Sequence, residues 1–314
     1  MDTITKGEEG VAVVIPVHNR PTILQETLVN VMRQTLLPNK LIIVDDGSSD
    51  DTASQAEDWL KANAGSVDWM LIRNSHSGAA IARTTGFKEI GDLQYVAFLD
   101  SDDHWPTDFL ERCVANLEAS PDAVLAITER KYRILADEMP QSSGGAEIVA
   151  NPIPWLFEHG AGITSCSLLR TSSVRKVGGW PIRLSGEGSD DSEFFCLLSL
   201  EGPWAFAEGE PVLFHIGNAV ERNESVNLSR KYADRDLRWA RSHEDIYQKL
   251  LKLDPSLKTT RLKKSLADRW YRAGKHCHKV RDWSEARSCF RRALYWNSQK
   301  WIYWKRFLKS GFKG

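Results

Sequence analysis

The N-terminal half of the chain repeats one pattern, in which a short apolar run is followed by a polar turn and then by a helical segment. The apolar runs are residues 11–17, 41–44, 69–72 and 95–99, and the polar turns are 18–20, 45–51, 74–78 and 100–104. This alternation is typical of an open, mostly parallel sheet flanked by helices. Ligands in such sheets bind beyond the carboxyl ends of the strands. The four turns are therefore predicted to meet at one ligand-binding edge.

The composition is that of a globular protein with one large domain and a smaller appendage. The chain has 314 residues, of which 42% are hydrophobic and 26% charged. Its five cysteines form no CxxC pair, which favours reduced thiols in a cytosol-like compartment over a disulfide framework or a zinc site. The polar start MDTITKGEEG predicts no signal peptide, and no apolar run is long enough to predict a membrane span.

Charge divides the chain into two parts. Residues 258–314 carry 17 Lys and Arg against three acidic residues, although the whole chain has a formal net charge of −1. We expect a disordered N-terminus over residues 1–10, an α/β domain over 11–225 and a helical, basic, Trp-rich extension over 226–314.

An acidic cluster, Asp100-Ser101-Asp102-Asp103, directly follows the fourth apolar run. Carboxylates this close repel by roughly 4 kcal/mol per pair at 4 Å and an effective dielectric constant near 20. A divalent cation would replace that repulsion with attraction, and oxygen ligands suit Mg²⁺ or Mn²⁺. The alternative is a solvated acidic turn before the next helix, because Asp is common in turns.

Taken together, the motifs of residues 10–220 resemble the family-2 glycosyltransferases of the GT-A fold. The motifs are VVIPVHNR (13–20), IIVDDGSSDDT (42–52), SGAAIARTTG (77–86), YVAFLDSDDHWPTDFLE (95–111), GGW (178–180) and DDSEFF (190–195). The resemblance implies a Rossmann-like, mostly parallel sheet flanked by helices, with the all-helical extension added at the C-terminus. It also implies transfer of a sugar, with inversion, from a nucleotide-sugar donor that is usually a UDP-sugar.

The resemblance assigns roles to individual residues around the donor. Asp45 matches the aspartate that accepts from uracil, and Asp102 matches the metal ligand of the DxD motif, with Asp100 facing ribose or metal and Asp103 auxiliary. The cofactor expected is Mn²⁺ or Mg²⁺, and His215 is a candidate further ligand. His76 and Thr84 stand where the family usually carries asparagines. The nucleotide-binding positions implied are Pro16, His18, Asn19, Arg20, Asp45, Gly47, Arg83, Asp100 and Ser101.

The resemblance also assigns residues to the acceptor side. Asp191 matches the catalytic carboxylate that takes the proton from the acceptor hydroxyl. Asp190 is the alternative base, and its negative charge would raise the pKa of Asp191. Trp180 and Gly179 of the GGW turn match an acceptor-binding platform.

Several of these residues also fit purely structural roles. His18 fits a cap of the following helix, Asp45 a turn former, and His215 an ordinary polar residue. Trp180 fits the hydrophobic core equally well. The sequence alone leaves these alternatives open.

The C-terminal extension contains the spacing of one tetratricopeptide-like helical hairpin, carried by Trp270, Gly274, Ala286, Phe290 and Ala293. Aromatic residues alternate with cations over 296–309, a composition that suits the headgroup layer of an anionic membrane. Nucleic-acid binding is not expected, and a solvated basic helix pair is the structural alternative. We therefore expect a cytoplasmic protein, peripheral on the inner face of the membrane, acting on a glycan or lipid-linked acceptor in cell-surface polysaccharide or glycolipid synthesis.

Two other functions are compatible with parts of the pattern. A non-catalytic nucleotide-sugar-binding or scaffold protein would use the helical extension to recruit partners, but it would not need the full carboxylate set. A sugar nucleotidyltransferase normally carries a glycine- and lysine- or arginine-rich loop after its first strand. This chain has PVHNRP there, without glycine.

Overall fold

A mixed, seven-stranded sheet forms the centre of the protein. The structure is a computed structural model that describes residues 8–133, 145–184, 188–215 and 234–310. The strands are β1 (Glu8–Val17), β2 (Lys40–Asp45), β3 (Asp68–Arg73), β4 (Leu93–Phe98), β5 (Leu125–Ile127), β6 (Arg130–Arg133), β7 (Ser167–Arg170), β8 (Trp204–Phe206) and β9 (Val212–His215). The order in the main sheet is β3-β2-β1-β4-β7-β5-β8, and β6 pairs with β9 in a separate two-stranded sheet.

The first four strands are parallel, as the repeated pattern predicts. β7 runs antiparallel to both β4 and β5, and β8 is parallel to β5. The carboxyl ends of β1, β2, β3 and β4 therefore lie at one edge. The mostly parallel sheet flanked by helices confirms the predicted fold class.

Helices connect the parallel strands: α1 (Pro21–Val31), α2 (Thr52–Asn63), α3 (Ala79–Lys88) and α4 (Phe109–Ala119). Residues 11–15 of β1 are at most 1% exposed, which explains why this strand reads as a continuous apolar run. Gly86 allows α3 to lie close to the sheet, because a Cβ at this position would be 2.4 Å from Cγ1 of Val14. That close packing holds Arg83, one turn earlier on α3, near the carboxyl edge.

The middle of the chain departs from the sequence prediction. The sequence pattern over residues 123–135 predicts one strand, but the structure has two short strands there, β5 and β6, which belong to different sheets. The Gly-, Ser- and Pro-rich composition of residues 136–154 predicts a loop, but α5 (Gly145–Ala150) and the start of α6 (Pro152–His159) occupy its second part. Residues 134–144 lie outside the described residues. Helices α7 (Thr171–Lys176) and α8 (Asp190–Leu198) follow. The polar residues 185–189 predict a flexible link into α8, and residues 185–187 of this segment also lie outside the described residues.

The N-terminal boundary also differs, because β1 begins at Glu8 inside the segment predicted to be disordered. Residues 1–7 lie outside the described residues, as do 216–233, where the boundary between the two predicted regions falls. Pairing of residues 8–14 with β4 explains the early start of β1. Hydrogen bonds to a neighbouring strand stabilise even the polar Glu8-Glu9-Gly10 start of this strand.

The C-terminal region is helical, as predicted, and packs directly on the α/β domain. Its helices are α9 (Arg235–Leu253), α10 (Thr260–Lys279), α11 (Trp283–Trp296) and α12 (Trp301–Ser310). Helices α10 and α11 pack against each other so closely that a Cβ on Gly274 would be 2.6 Å from the ring of Phe290. Arg261 of α10 forms a two-point ion pair with Glu158 of α6, with both N–O distances at 2.7 Å.

The aromatic residues near the C-terminus divide between surface and core. Trp301 is 66% exposed and Trp304 is 46% exposed, whereas Tyr303 is fully buried and donates a hydrogen bond to Asp268. Among the helices that the structure describes, none combines the length and the apolar character needed to cross a membrane.

Candidate functional site

The four polar turns predicted to converge are joined by hydrogen bonds at the carboxyl edge of the sheet. The backbone N–H of Asn19 donates to Oγ of Ser48 (2.8 Å), and the backbone N–H of Ser49 donates to Oδ1 of Asn19 (2.8 Å). Asn19 has a φ of 52°, a left-handed conformation that Asn tolerates. Asn19 thus ties the first turn to the second.

Asp46 ties the second turn to the third. Its carboxylate accepts from the backbone N–H groups of Ser77 (2.9 Å) and Gly78 (2.8 Å). Gly47 has a φ of +72°, and a Cβ there would be 2.6 Å from the backbone nitrogen of His76, so this close approach requires glycine.

A histidine pair lies beside these turns. The rings of His18 and His76 stack with their centroids 4.2 Å apart. Both rings donate from Nδ1 to the backbone carbonyl of Asp46, at 2.9 and 3.0 Å. The capping alternative for His18 is not observed, because the N-cap of α1 is Arg20 and no side chain caps this helix. His76 therefore contributes one ring of an aromatic stack beside these turns.

Asp45 and Pro16, both predicted to contact the nucleotide, lie at strand ends. Asp45 is 3% exposed, and its carboxylate accepts from the hydroxyl and the backbone N–H of Ser48. Pro16 is buried within β1 and pairs with Val44 of β2. Pro16 therefore belongs to the buried end of β1 that precedes the first turn.

The acidic cluster follows β4, and an arginine holds each of the two carboxylates of its DxD motif. Arg83 Nη2 lies 2.5 Å from Asp100 Oδ1, and Arg20 Nη1 lies 2.9 Å from Asp102 Oδ2. Arg20 also donates to Oγ of Ser101 (3.3 Å). The two guanidinium groups offset the repulsion between the carboxylates, which is the electrostatic task that a cation would also perform.

Asp103 lies beneath this turn. It is 4% exposed and accepts from Oγ of Ser165 (2.6 Å), which in turn accepts from the backbone N–H of Asp100 (3.1 Å). A capping role for Asp103 is not observed, because α4 begins at Phe109 with Asp108 at its N-cap. Asp103 and Ser165 therefore fix the backbone of the acidic turn.

His215 is brought towards the acidic turn by the backbone. His104 and Leu213 exchange two backbone hydrogen bonds of 2.9 Å, so β9 runs beside the end of the turn and ends at His215. The side chain of His215 lies outside what the structure describes. Among the described side chains, no group of three His, Cys, Asp or Glu residues is arranged to hold a metal.

The second carboxylate pair begins α8. Oδ2 of Asp190 accepts from Nε1 of Trp180 (2.7 Å) and lies 3.6 Å from Nη1 of Arg83. The guanidinium of Arg83 lies over the Trp180 ring, 4.6 Å from its centroid. Arg83 therefore connects Asp100 of the acidic turn to Asp190 of the second pair.

Asp191 has a different environment from that of Asp190. Its carboxylate accepts from the backbone N–H groups of Ser192 (2.7 Å) and Gly162 (3.2 Å). Burial, followed by the negative charge of Asp190, raises the pKa of Asp191 to about 6. A carboxylate with this pKa is ionised at neutral pH and accepts a proton more readily than an ordinary aspartate.

Trp180 does not form the open acceptor platform that the sequence suggested. It is 3% exposed and packs against Phe98 and Phe194, with centroid distances of 5.1 and 4.3 Å. An acceptor needs an exposed ring face for stacking, so the core alternative is the correct one. Gly179 has a φ of +79° and allows the turn that inserts Trp180 into the core.

Sequence reasoning missed three contacts that shape this site. Ser165 and Gly162 come from the segment between α6 and β7, and no local motif distinguishes them. Arg20 was predicted only as a nucleotide-binding residue, but it also pairs with Asp102. The acidic cluster indicates that a contact of this kind exists, because semi-buried carboxylates need a cationic partner, but it does not identify Arg20 as that partner.

Comparisons with known proteins find a family model and several curated relatives that match the chain. The model of glycosyl transferase family 2 matches residues 12–178, more than half of the chain. The chain is 32% identical over 128 residues to the putative teichuronic acid biosynthesis glycosyltransferase TuaG of Bacillus subtilis, covering 41% of this chain and 48% of that protein. It is 31% identical over 102 residues to the UDP-Glc:alpha-D-GlcNAc-diphosphoundecaprenol beta-1,3-glucosyltransferase WfgD of Escherichia coli, covering 32% of this chain and 38% of that protein. The chain thus spans less than half the length of these curated relatives.

Solved structures share the fold at low sequence identity. S. aureus TarS 1-349 in complex with UDP-GlcNAc has a TM-score of 0.64 and 17% identity, covering 83% of this chain and 72% of that one. The mannosyltransferase PcManGT from Pyrobaculum calidifontis, in complex with GDP-Man and Mn²⁺, has a TM-score of 0.59 and 16% identity, covering 96% of this chain and 84% of that one.

Proposed function

Because this chain belongs to glycosyl transferase family 2, we propose that its carboxyl sheet edge transfers a sugar, with inversion, from a UDP-sugar to a hydroxyl group of a glycan or lipid-linked acceptor. The observation that carries the proposal is the bridging position of Arg83, which contacts both Asp100 and Asp190. One guanidinium thus connects the DxD turn with the carboxylate pair, Asp190 and Asp191, that contains the candidate general base. A sugar between these two carboxylate groups would have its leaving group on one side and its attacking hydroxyl on the other.

The donor side uses the turns after β1, β2 and β4. Asp45 accepts from the nucleobase, and the His18–His76 stack offers an aromatic surface beside it. Arg20 and Arg83 donate to the diphosphate, because a guanidinium fork matches phosphate oxygens. Arg20 would exchange Asp102 for phosphate when the donor binds.

The residues at the acidic turn fit a divalent cation that completes its coordination with donor phosphates and water. Asp100 and Asp102 supply hard carboxylate oxygens two residues apart on one turn, and each carries a cationic neighbour in this structure. Asp102 would hold Mn²⁺ or Mg²⁺, with Asp100 or His215 as the further protein ligand. The cation would supply Lewis-acid stabilisation of the departing diphosphate.

Asp191 acts on the acceptor side as the general base. As the acceptor oxygen bonds to the anomeric carbon, the bond from that carbon to the UDP oxygen breaks and the acceptor proton passes to Asp191. Asp190 keeps its contacts with Trp180 and Arg83, and these contacts hold the start of α8, and with it Asp191, in position. Attack on the face opposite the departing UDP inverts the anomeric centre.

The acceptor class is proposed from the relatives. TuaG is named for teichuronic acid biosynthesis, and WfgD for a diphosphoundecaprenol-linked acceptor. We propose that this chain likewise elongates a surface polysaccharide on a lipid carrier, at the cytoplasmic face of the membrane. The five unpaired, buried cysteines are compatible with that reducing compartment.

The donor class is tested by thermal unfolding with UDP- and GDP-sugars, each with and without Mn²⁺, alongside UDP release. A UDP-sugar at one hundred times its Kd should stabilise the protein by about 2.7 kcal/mol, and removing the metal should abolish most of the effect. ADP-glucose is the matched control. A screen in which no UDP-sugar shifts unfolding or is cleaved would refute the proposal, and a shift with GDP-sugars alone would contradict the UDP assignment.

The pH dependence of turnover should reveal the pKa of the general base. Because Asp191 must be ionised, kcat should fall as the pH drops through about 6. In Asp190→Asn, loss of the neighbouring charge lowers the pKa of Asp191, so the acidic limb of the pH–rate profile should move to lower pH by up to about 1 unit. Asp92→Asn, at an exposed carboxylate on the surface, should leave the limb in place. An unmoved limb in Asp190→Asn would remove Asp191 from this role.

A further inference from the structure

A basic pocket opens between the N-terminus of α9 and one face of α10. Its volume is about 450 Å³, within the usual size range of ligand-binding pockets. Five cations line it with a single carboxylate among the described lining residues: Arg235, Arg269, Arg272, Lys275 and Lys279, with Asp236.

The cations on α10 are spaced by three or four residues, so they share one helix face. Within the described ranges, Arg269, Arg272, Lys275 and Lys279 form no ion pair with a carboxylate. Other cations of the same region do, including Arg261 with Glu158 and Lys300 with Asp268. Like charges at this helical spacing destabilise the folded chain, and a bound anion would reverse that effect.

Arg269 is a buried cation whose guanidinium lines the pocket and is held in place by hydrogen bonds. It is 7% exposed, and its Nε and Nη2 both donate to the backbone carbonyl of Phe157, at 3.0 and 2.8 Å. Burial, with a contribution from Arg272, lowers the pKa of Arg269 to about 10, so the guanidinium stays charged at neutral pH. A positioned guanidinium binds phosphate oxygens without first losing side-chain freedom.

The pocket lies next to the N-terminus of α8, the helix that carries the candidate base. Nε1 of Trp239 in the pocket donates to the carbonyl of Gly188 (2.8 Å), and Oγ of Ser242 donates to Oγ of Ser189 (2.8 Å). Ser189 is the N-cap of α8, the helix that begins with Asp190 and Asp191. The pocket therefore adjoins the helix whose first carboxylates are proposed to act on the acceptor.

We propose that this pocket binds the diphosphate group through which an acceptor sugar is linked to its carrier. The inference rests on the proposed function, because it assigns a place to the acceptor of that reaction. A diphosphate esterified at both ends carries two negative charges, which complement the excess of cations and the positive end of the α9 dipole. The concave shape favours a single phosphorylated group over an extended lipid surface, and the exposed Trp301 and Trp304 lie outside the pocket lining.

The test uses inorganic diphosphate as the probe, titrated calorimetrically into the full chain in buffer containing EDTA. The pocket variant is Arg272→Glu/Lys275→Glu, at two exposed positions of the lining. The matched control is Lys264→Glu/Arg291→Glu, which reverses two exposed charges on α10 and α11 outside the lining. Diphosphate affinity should fall about tenfold or more in the pocket variant and less than about twofold in the control.

Two further measurements are needed. The first distinguishes binding of a diphosphate from binding of lipid headgroups, and the second distinguishes failure of this proposal from failure of the proposed function. Binding to vesicles of phosphatidylglycerol in phosphatidylcholine should be equal in the two variants, and the unfolding shift with UDP and Mn²⁺ should be unchanged in both. Equal losses of diphosphate affinity in both variants, or no binding to the wild type, would overturn the proposal. A loss of vesicle binding confined to the pocket variant would assign the pocket to the membrane instead. Absence of the UDP shift in all three proteins would refute the proposed function, whatever the diphosphate result.

Discussion

Replacing Asp191 with Asn is expected to lower kcat by about 10²- to 10⁴-fold while leaving the unfolding shift with UDP and Mn²⁺ unchanged. The amide keeps the shape of the side chain but cannot accept the proton of the acceptor hydroxyl. The measurement is the rate of UDP release at saturating donor and acceptor. A kcat within about threefold of the wild type would contradict the assignment.

The same substitution should make the protein more stable at neutral pH. The folded-state pKa of Asp191, about 6, lies above the ordinary value of 3.8, so the folded state disfavours the ionised form. The resulting destabilisation is absent below pH 4, grows as the pH rises to about 6, and persists above it. At pH 7.5 the Asn variant should gain up to about 3 kcal/mol of unfolding free energy. Asp58→Asn, at an exposed position of α2, should change it by less than about 0.5 kcal/mol.

Replacing Asp102 with Asn should remove the metal dependence of donor binding. Loss of a carboxylate ligand should weaken Mn²⁺-dependent UDP affinity by about a hundredfold or more, since loss of even an indirect partner of a metal ligand costs 10- to 100-fold. The measurement is calorimetric titration of UDP with and without Mn²⁺. The two titrations should become nearly equal in the variant.

Asp103→Asn is the matched control for this change, because Asp103 belongs to the same turn but is buried beneath it and bonds to Ser165. It should lower the free energy of unfolding and retain the Mn²⁺ dependence of UDP binding. Equal loss of metal dependence in both variants would show that the turn as a whole, not Asp102 itself, is required.

The sequence predicted the elements and the edge on which the site is built, because both follow from local patterns. Buried parallel strands appear as continuous apolar runs, and their carboxyl ends must lie at the same edge. The convergence of the turns after β1 to β4 therefore follows from the sequence pattern alone. The contribution of Asp190 to the raised pKa of Asp191 also follows from the sequence, whereas the larger contribution, burial, depends on the fold.

What the sequence did not predict depends on contacts between distant segments. The apolar, aromatic character of Trp180 suits both a core residue and a sugar platform, and only its packing against Phe194 distinguishes the two. The basic pocket needs α9 and α10 docked on α6 and α8, a contact that helical periodicity does not specify. The prediction of one strand over 123–135 is wrong for the same reason, because β5 pairs with β7 in the main sheet and β6 pairs with β9 in the second sheet.

The stereochemistry of the product tests the central claim most directly. If Asp191 activates the hydroxyl opposite the departing UDP, then an α-linked UDP-sugar must yield a β-configured product. The slow hydrolysis of the donor by the wild-type protein, followed by proton NMR in the first minutes before mutarotation, reports this configuration without a known acceptor. Release of the β-anomer, lost in Asp191→Asn, is the predicted result. Initial release of the α-anomer would contradict the account.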